Sequence, residues 1–168
     1  MKGKLFGIGV TVVVLIASAC ESHAPEPRER TKTVTEKEEN VVKPTEEIII
    51  MAEIGGEEVE ISMYDNPTSR DFIDQLPLEL SFKDFGGFEK LSYPPKKLTT
   101  EGAPEGDTPS AGDFAYYAPW GDVTLYYKDE SYAKGVVLMG RMEDGGIEKV
   151  AGMGEDEVVR LRNLEEPL

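Results

Sequence analysis

Cysteine and histidine each occur once in 168 residues, as Cys20 and His23. A disulfide within the chain is therefore excluded. A Cys/His metal site or a Cys–His pair would have to come from these two neighbours near the start. Basic residues are scarce as well: 18 Lys and Arg stand against 33 Asp and Glu, a net charge of −15. They do not cluster, and contact with a phosphate backbone needs clustered cations, so nucleic acid is not expected as a partner. No phosphate-binding glycine loop, Ser-His-Asp arrangement, zinc ligand set or internal repeat is found. Asp129-Glu130 and Glu155-Asp156-Glu157 lack the spacing of a calcium loop and read as solvated acidic surface. Neither a metal nor a cofactor is expected. Long apolar runs are also missing: the stretch Leu5–Ile16 is short of the roughly 20 residues that span a bilayer as a helix.

That stretch has a different meaning. Lys2 and Lys4 precede it, and the small residues Ala17-Ser18-Ala19-Cys20 follow, which is the layout of a secretory signal peptide over residues 1–19. Ala17-x-Ala19 is an ordinary cleavage site. Ala17-Ser18-Ala19-Cys20 also resembles the lipobox of bacterial lipoproteins, in which the Cys thiol receives a diacylglyceryl group and becomes the mature N-terminus. Both place the cut between Ala19 and Cys20. An unpaired thiol in an exported chain needs an explanation, and lipidation of Cys20 supplies one. Two or more acyl chains at about 0.8 kcal/mol per buried methylene hold a protein stably on a bilayer. The expected location is exported and lipid-anchored, on the outer face of the cytoplasmic membrane or in the cell envelope, with the membrane as partner through Cys20.

Residues 21–47 are rich in Glu, Lys, Thr and Pro, with Val34, Val41 and Val42 as the large apolar side chains. They cannot bury enough surface to offset the entropy of ordering, so 20–47 reads as a lipidated Cys followed by a disordered tether. The folded domain is expected over 48–168. It carries 11 Lys and Arg against 25 Asp and Glu, so nearly all the excess charge is there. Anionic lipid would repel it.

Gly and Pro together make up 28 of 168 residues, which suits a turn-rich β protein. Ile48–Ile54, the turn Gly55-Gly56 and the alternating Glu57–Met63 read as a hairpin. Asn66 is placed to N-cap a helix of about ten residues opening on Pro67, with Phe72, Ile73 and Leu76 as its apolar stripe and Arg70, Asp71 and Asp74 outward. Pro77 ends it. Leu78, Leu80 and Phe82 alternate as a strand, and Asp84–Glu89 is a bend into a short strand that Pro94-Pro95 stops. Thr99–Ala111 is a long loop of the kind that is functional or mobile.

Residues 112–129 carry the densest aromatic surface. They read as two strands about Pro119-Trp120-Gly121-Asp122, with Phe114, Tyr116 and Ala118 on one face of the first and Ala115 and Tyr117 on the other, and with Val123, Leu125 and Tyr127 on one face of the second and Thr124, Tyr126 and Lys128 on the other. Val136–Met142, a turn at Glu143–Gly146, and strands at Ile147–Val150 and Glu157–Leu161 complete the chain. The fold class expected is mainly β: a closed antiparallel barrel with one short helix, since closure removes exposed edges.

Gly112-Asp113-x-x-Tyr116-x-x-Pro119-x-Gly121-Asp122-x-x-x-Tyr126-Tyr127, followed by Leu138-x-Gly140-Arg141, resembles the small bacterial and archaeal cyclophilin-like proteins. The Asn-Pro helix, Leu76-Pro77-Leu78 and Phe85-x-x-Phe88-Glu89-Lys90 fit the same likeness. The resemblance implies an eight-stranded cyclophilin-type barrel over roughly 48–165. True cyclophilins carry an Arg, a Phe five residues later and then Phe-x-x-Gln-Gly-Gly-Asp. No such run occurs here, so no catalytic residue carries over.

A ligand site is expected from Tyr117, Trp120, Tyr126 and Arg141, with Phe82 and Phe85 as a wall. It would take a peptide or small organic ligand bearing an acceptor or carboxylate. The alternative is that these rings fill the barrel and Arg141 pairs with a nearby acid. The functional reading is a membrane-anchored binding module. The competing readings are a peptidyl-prolyl isomerase helping exported chains fold and a purely structural envelope lipoprotein.

Overall fold

Gly55 and Gly56 both adopt positive φ, 60° and 82°, the conformation that a two-residue turn needs to match the twist of its strands. They join β1 (Ile48–Ile54) to β2 (Glu57–Met63) in full antiparallel register, from Ile48 opposite Met63 to Ile54 opposite Glu57. This hairpin opens the computed structural model, which describes residues 48–164. The expected signal peptide, Cys20 and the tether lie outside the described residues. No described helix is long and apolar enough to cross a membrane.

The elements that follow are α1 (Pro67–Ile73), β3 (Leu78–Phe85), β4 (Glu89–Ser92), β5 (Gly106–Asp107), β6 (Asp113–Tyr117), β7 (Asp122–Tyr126), β8 (Ala133–Lys134), β9 (Val136–Met142), α2 (Gly146–Gly152) and β10 (Glu157–Asn163). Eight strands close into an antiparallel barrel in the order β1-β10-β3-β4-β7-β6-β9-β2. β5 and β8 form a separate two-stranded ribbon outside it. The mainly β barrel expected from the alternating strands is what the chain forms.

Alternation sets the inside and the outside. Ile50, Ala52 and Ile54 of β1, Val59, Ile61 and Met63 of β2, Leu80 and Phe82 of β3, Phe114 and Tyr116 of β6, Val123 and Leu125 of β7, and Val159 and Leu161 of β10 fill the barrel. Ala115, Tyr126 and Val136 form a second buried cluster with Tyr117 packed against it, on the opposite side of the same strands. The two faces of the aromatic hairpin therefore fall as the sequence indicates.

α1 seals one end. Asn66 caps it by accepting from the Ser69 amide at 2.9 Å, and Pro67 occupies the first turn. The helix is seven residues rather than about ten, with Asp74 as its C-cap. Phe72 is fully buried and meets Phe114 edge to face at 5.1 Å. Asp71, expected outward, accepts from the Thr99 amide at 2.7 Å and fixes the following loop.

α2 corrects a second expectation: Ile147–Val150 is helical, not a strand. Its two apolar residues stand three apart, which is a helical rather than an alternating spacing, and Val150 is buried. The barrel thus carries two short helices, not one.

Candidate functional site

The second cluster opens into a pocket on the outer face of β4, β7 and β6. Tyr126 and Val136 form its floor together with Glu89, while Tyr117, Trp120, Phe85 and Phe88 form an aromatic wall. The facing wall is the loop from Glu130 to Ala133, with Pro109 beside it. The cavity measures about 200 Å³. Phe85 and Tyr117 each meet the Trp120 ring edge to face at 5.3 Å, and Phe85 meets Phe88 at 6.2 Å. The mouth is open: Trp120 is 48 %, Phe85 43 % and Tyr132 58 % exposed.

The loop wall is held by backbone pairing between two long connections. Glu130 donates its amide to the Pro109 carbonyl at 2.9 Å, Gly135 to Glu105 at 2.8 Å, and Ala118 to Gly135 at 2.9 Å. The Ala111 amide donates to the Asp129 carboxylate at 2.9 Å. β5 and β8 belong to the same junction. A Cβ at Gly106 would stand 2.3 Å from the Ala133 carbonyl oxygen, so only glycine permits this approach. The stretch Thr99–Ala111, expected as a loop of low apolar content, is thus in part a buttress for the pocket.

The floor is acidic. Glu89 lies opposite Tyr126 in the β4–β7 ladder and is only 7 % exposed. Burial pushes its carboxyl from an ordinary 4.5 up to about 7, against a hydrogen bond with the Tyr126 hydroxyl that favours the ionised form. The negative charges of Asp122 and Glu130 push the same way. Burial and the neighbouring Glu89 charge raise the Tyr126 phenol too. Asp122 shares the outward face of β7, is 1 % exposed, and accepts from the Thr124 hydroxyl at 3.3 Å. Its other oxygen has no hydrogen-bond partner among the described residues, and burial raises its pKa.

Tyr117, Trp120, Tyr126 and Phe85 are thus brought together. Phe82 and Arg141 are not. β3 continues as a regular strand through Phe85, so Phe82, three residues earlier, points to the opposite face and is fully buried in the barrel. Arg141 sits opposite Asp113 at the start of β6, four residues and about 13 Å along the strand from Tyr117. It donates to the Asp113 carboxylate at 2.7 Å and to the Ala111 carbonyl at 3.0 Å, pinning the entry to β6. Among the described residues, no Lys or Arg lines the pocket.

The residues missed are Glu89, Glu130, Phe88 and Tyr132. Phe88-Glu89 was visible as part of a motif, and alternation would have placed Glu89 outward with Tyr126 once the β4–β7 pairing was known. Glu130 and Tyr132 reach the pocket only through the β5–β8 junction, which leaves no local signal. A group of three or more side chains able to hold a metal does not occur among the described residues.

Comparison with known proteins agrees with this architecture. A search of curated proteins finds no match. The solution structure of a hypothetical protein from Archaeoglobus fulgidus superposes with a TM-score of 0.54 at 19% identity, over 70% of this chain and 95% of that one; at that identity the likeness speaks to the fold. The sequence itself matches the profile of the cyclophilin-like family over residues 52–162. With most of the barrel inside that match, the chain belongs to the cyclophilin-like family.

Proposed function

We propose that the domain is a binding module that holds part of a peptide in the pocket walled by Phe85, Tyr117 and Trp120, and that Cys20 carries a diacylglyceryl anchor holding it at the outer face of a bacterial membrane. The observation that supports the binding reading most is the open aromatic cleft itself. Large rings left half-exposed around a preformed cavity cost solvation unless something covers them. The anchoring half rests on the lipobox-like Ala17–Cys20 and the lone thiol.

A pocket of rings also suits a proline side chain, which favours peptidyl-prolyl isomerisation as a second reading. That reaction has a barrier of about 18–20 kcal/mol and needs a donor aimed at the amide nitrogen. Arg141 is committed to Asp113 and stands apart from the cleft, so binding without catalysis is the better supported of the two.

Trp120 is the chain's single tryptophan and makes the test direct. Capped peptides are titrated against its fluorescence, and thermal shifts are read in parallel. A ligand at 100 times its dissociation constant stabilises the fold by about 2.7 kcal/mol. Binding whose thermal shift Trp120→Ala abolishes supports the module. A peptide panel that moves neither signal sinks it. A proline tetrapeptide assay at the uncatalysed rate removes the isomerase, and a free thiol at Cys20 in the mature protein removes the anchor.

A further inference from the structure

The ligand expected from the sequence bears an acceptor or carboxylate for Arg141; among the described residues the pocket is lined by no basic residue and by two acids, Glu89 in the floor and Glu130 in the loop wall. We infer that the pocket takes the cationic side chain of a Lys or Arg in a peptide, its charge held between the aromatic wall and the carboxyls of Glu89 and Glu130. This rests on the peptide-binding reading above and specifies which part of the peptide enters.

Three observations carry it. First, ring faces attract cations, most strongly that of tryptophan, and Trp120 forms the wall with Phe85 and Tyr117 at 5.3 Å. Second, Glu89 is only 7 % exposed, yet it lines the cavity, and among the described residues no Lys or Arg lines it too. The nearby lysines are turned elsewhere: Lys90 donates to the Met153 carbonyl at 2.8 Å and pairs with Asp84 at 3.1 Å, and Lys128 donates to the Gly87 carbonyl at 2.6 Å. Third, a cavity of about 200 Å³ with an exposed rim is smaller than pockets that enclose whole drug-sized ligands, roughly 300–1,000 Å³. It fits one side chain whose main chain continues outside.

The groups facing Glu89 are Tyr126, Asp122 and Glu130. All are neutral or negative, so an entering cation meets no opposing charge. With its carboxyl poised near 7, Glu89 gains its charge across neutral pH, and the bound cation releases that proton.

The test uses the full chain and pentapeptides of the form acetyl-Gly-Gly-X-Gly-Gly-amide, with X as Arg, citrulline, Lys or norleucine, read by Trp120 fluorescence at pH 5.5 and pH 8. The Arg and Lys peptides should bind about ten-fold tighter than their uncharged isosteres at pH 8. That preference should shrink at pH 5.5, and Glu89→Gln should remove its pH dependence. Glu130→Gln, a loop substitution, should weaken the preference with the melting temperature unchanged. If citrulline and norleucine peptides bind as well as the charged ones, the cation is wrong while peptide binding stands. If none of the four binds, peptide binding itself falls. If tetramethylammonium alone binds as tightly as the Lys peptide, a peptide is not the occupant.

Discussion

Glu89 and Tyr126 face each other across the β4–β7 ladder, both nearly closed off from solvent and hydrogen-bonded through the phenol. The pair makes stability depend on pH in an unusual direction for a carboxylate. Its folded pKa is raised from 4.5 to about 7, so the folded state holds the proton more tightly. The resulting stability is fully present below 4.5 and is lost as pH rises through about 7. The span corresponds to about 3 kcal/mol. Glu89→Gln cannot ionise and should be flat in this window. Urea unfolding at pH 4.5, 6 and 8 should show the variant gaining on the parent as pH rises; parallel curves would refute it.

At the barrel end near α2, an opposite case stands on the inner face. Asp84 accepts from the Tyr127 hydroxyl at 2.6 Å, from Lys90 at 3.1 Å and from the Gly87 amide at 3.1 Å. These bonds, the tyrosine's foremost, hold its carboxyl below the ordinary 3.8. Stability from this group is therefore present above that value and lost as pH falls below it. Tyr127→Phe should cost about 2 kcal/mol at neutral pH, as for a hydrogen bond to a charged acceptor, and the deficit should shrink in acid. A deficit that stays constant down to pH 2 would mean the lost hydroxyl mattered for packing alone.

Helix capping at Asn66 gives a third measurement. Its side-chain oxygen accepts from the Ser69 amide at 2.9 Å, and its amide nitrogen donates to the Leu138 carbonyl at 3.0 Å, tying α1 to β9. Asn66→Ala should destabilise by about 1–2 kcal/mol, whereas Asn66→Asp keeps the cap and loses only the donor. If the two substitutions cost the same by chemical denaturation, the Leu138 bond, not the cap, carries the effect.

What the sequence makes legible follows from which signals are local. Gly55-Gly56, Asn66-Pro67 and the two-residue period about Trp120 are written in neighbouring residues, and β1–β2, α1 and the division of β6 and β7 into two faces follow from them. The period also decides Phe82 against Phe85, but only once β3 is known to run unbroken to Phe85. Glu130 and Tyr132 join the pocket through Gly106 and the β5–β8 ribbon, a meeting of loops some 25 residues apart that no periodicity records. Arg141 stands outside the pocket for a related reason. Its motif position was plain, yet the partner that claims it, Asp113, is fixed by the β6–β9 register.

That ribbon can be tested by size. Alanine at Gly106 would place a methyl 2.3 Å from the Ala133 oxygen and 2.7 Å from Lys134 Cα. Backbone atoms cannot yield as a side-chain tip does, so the ribbon should separate at a cost of about 1–3 kcal/mol. The loop from Asp129 to Lys134 should then become the first site of proteolytic cleavage. An unchanged digestion pattern would show that the pocket's loop wall stands without the ribbon.

Arg141 and Trp120 should part company when each is truncated. Arg141→Ala leaves the buried Asp113 with the Ser110 amide, at 2.7 Å, but without its cation. Because the guanidinium is half-exposed, water screens much of the pair, and the loss should be about 1–2 kcal/mol rather than that of a buried ion pair. Asp113→Asn in the same background should recover part of it, since the orphaned charge is then removed. Ligand affinity at the aromatic cleft should be untouched by either change. Trp120→Ala should do the reverse, removing the affinity while costing about 1–2 kcal/mol of stability for its lost edge-to-face contacts with Phe85 and Tyr117. A loss of affinity in Arg141→Ala, measured with folding intact, would return the guanidinium to the site and with it the carboxylate-bearing ligand that the sequence first suggested.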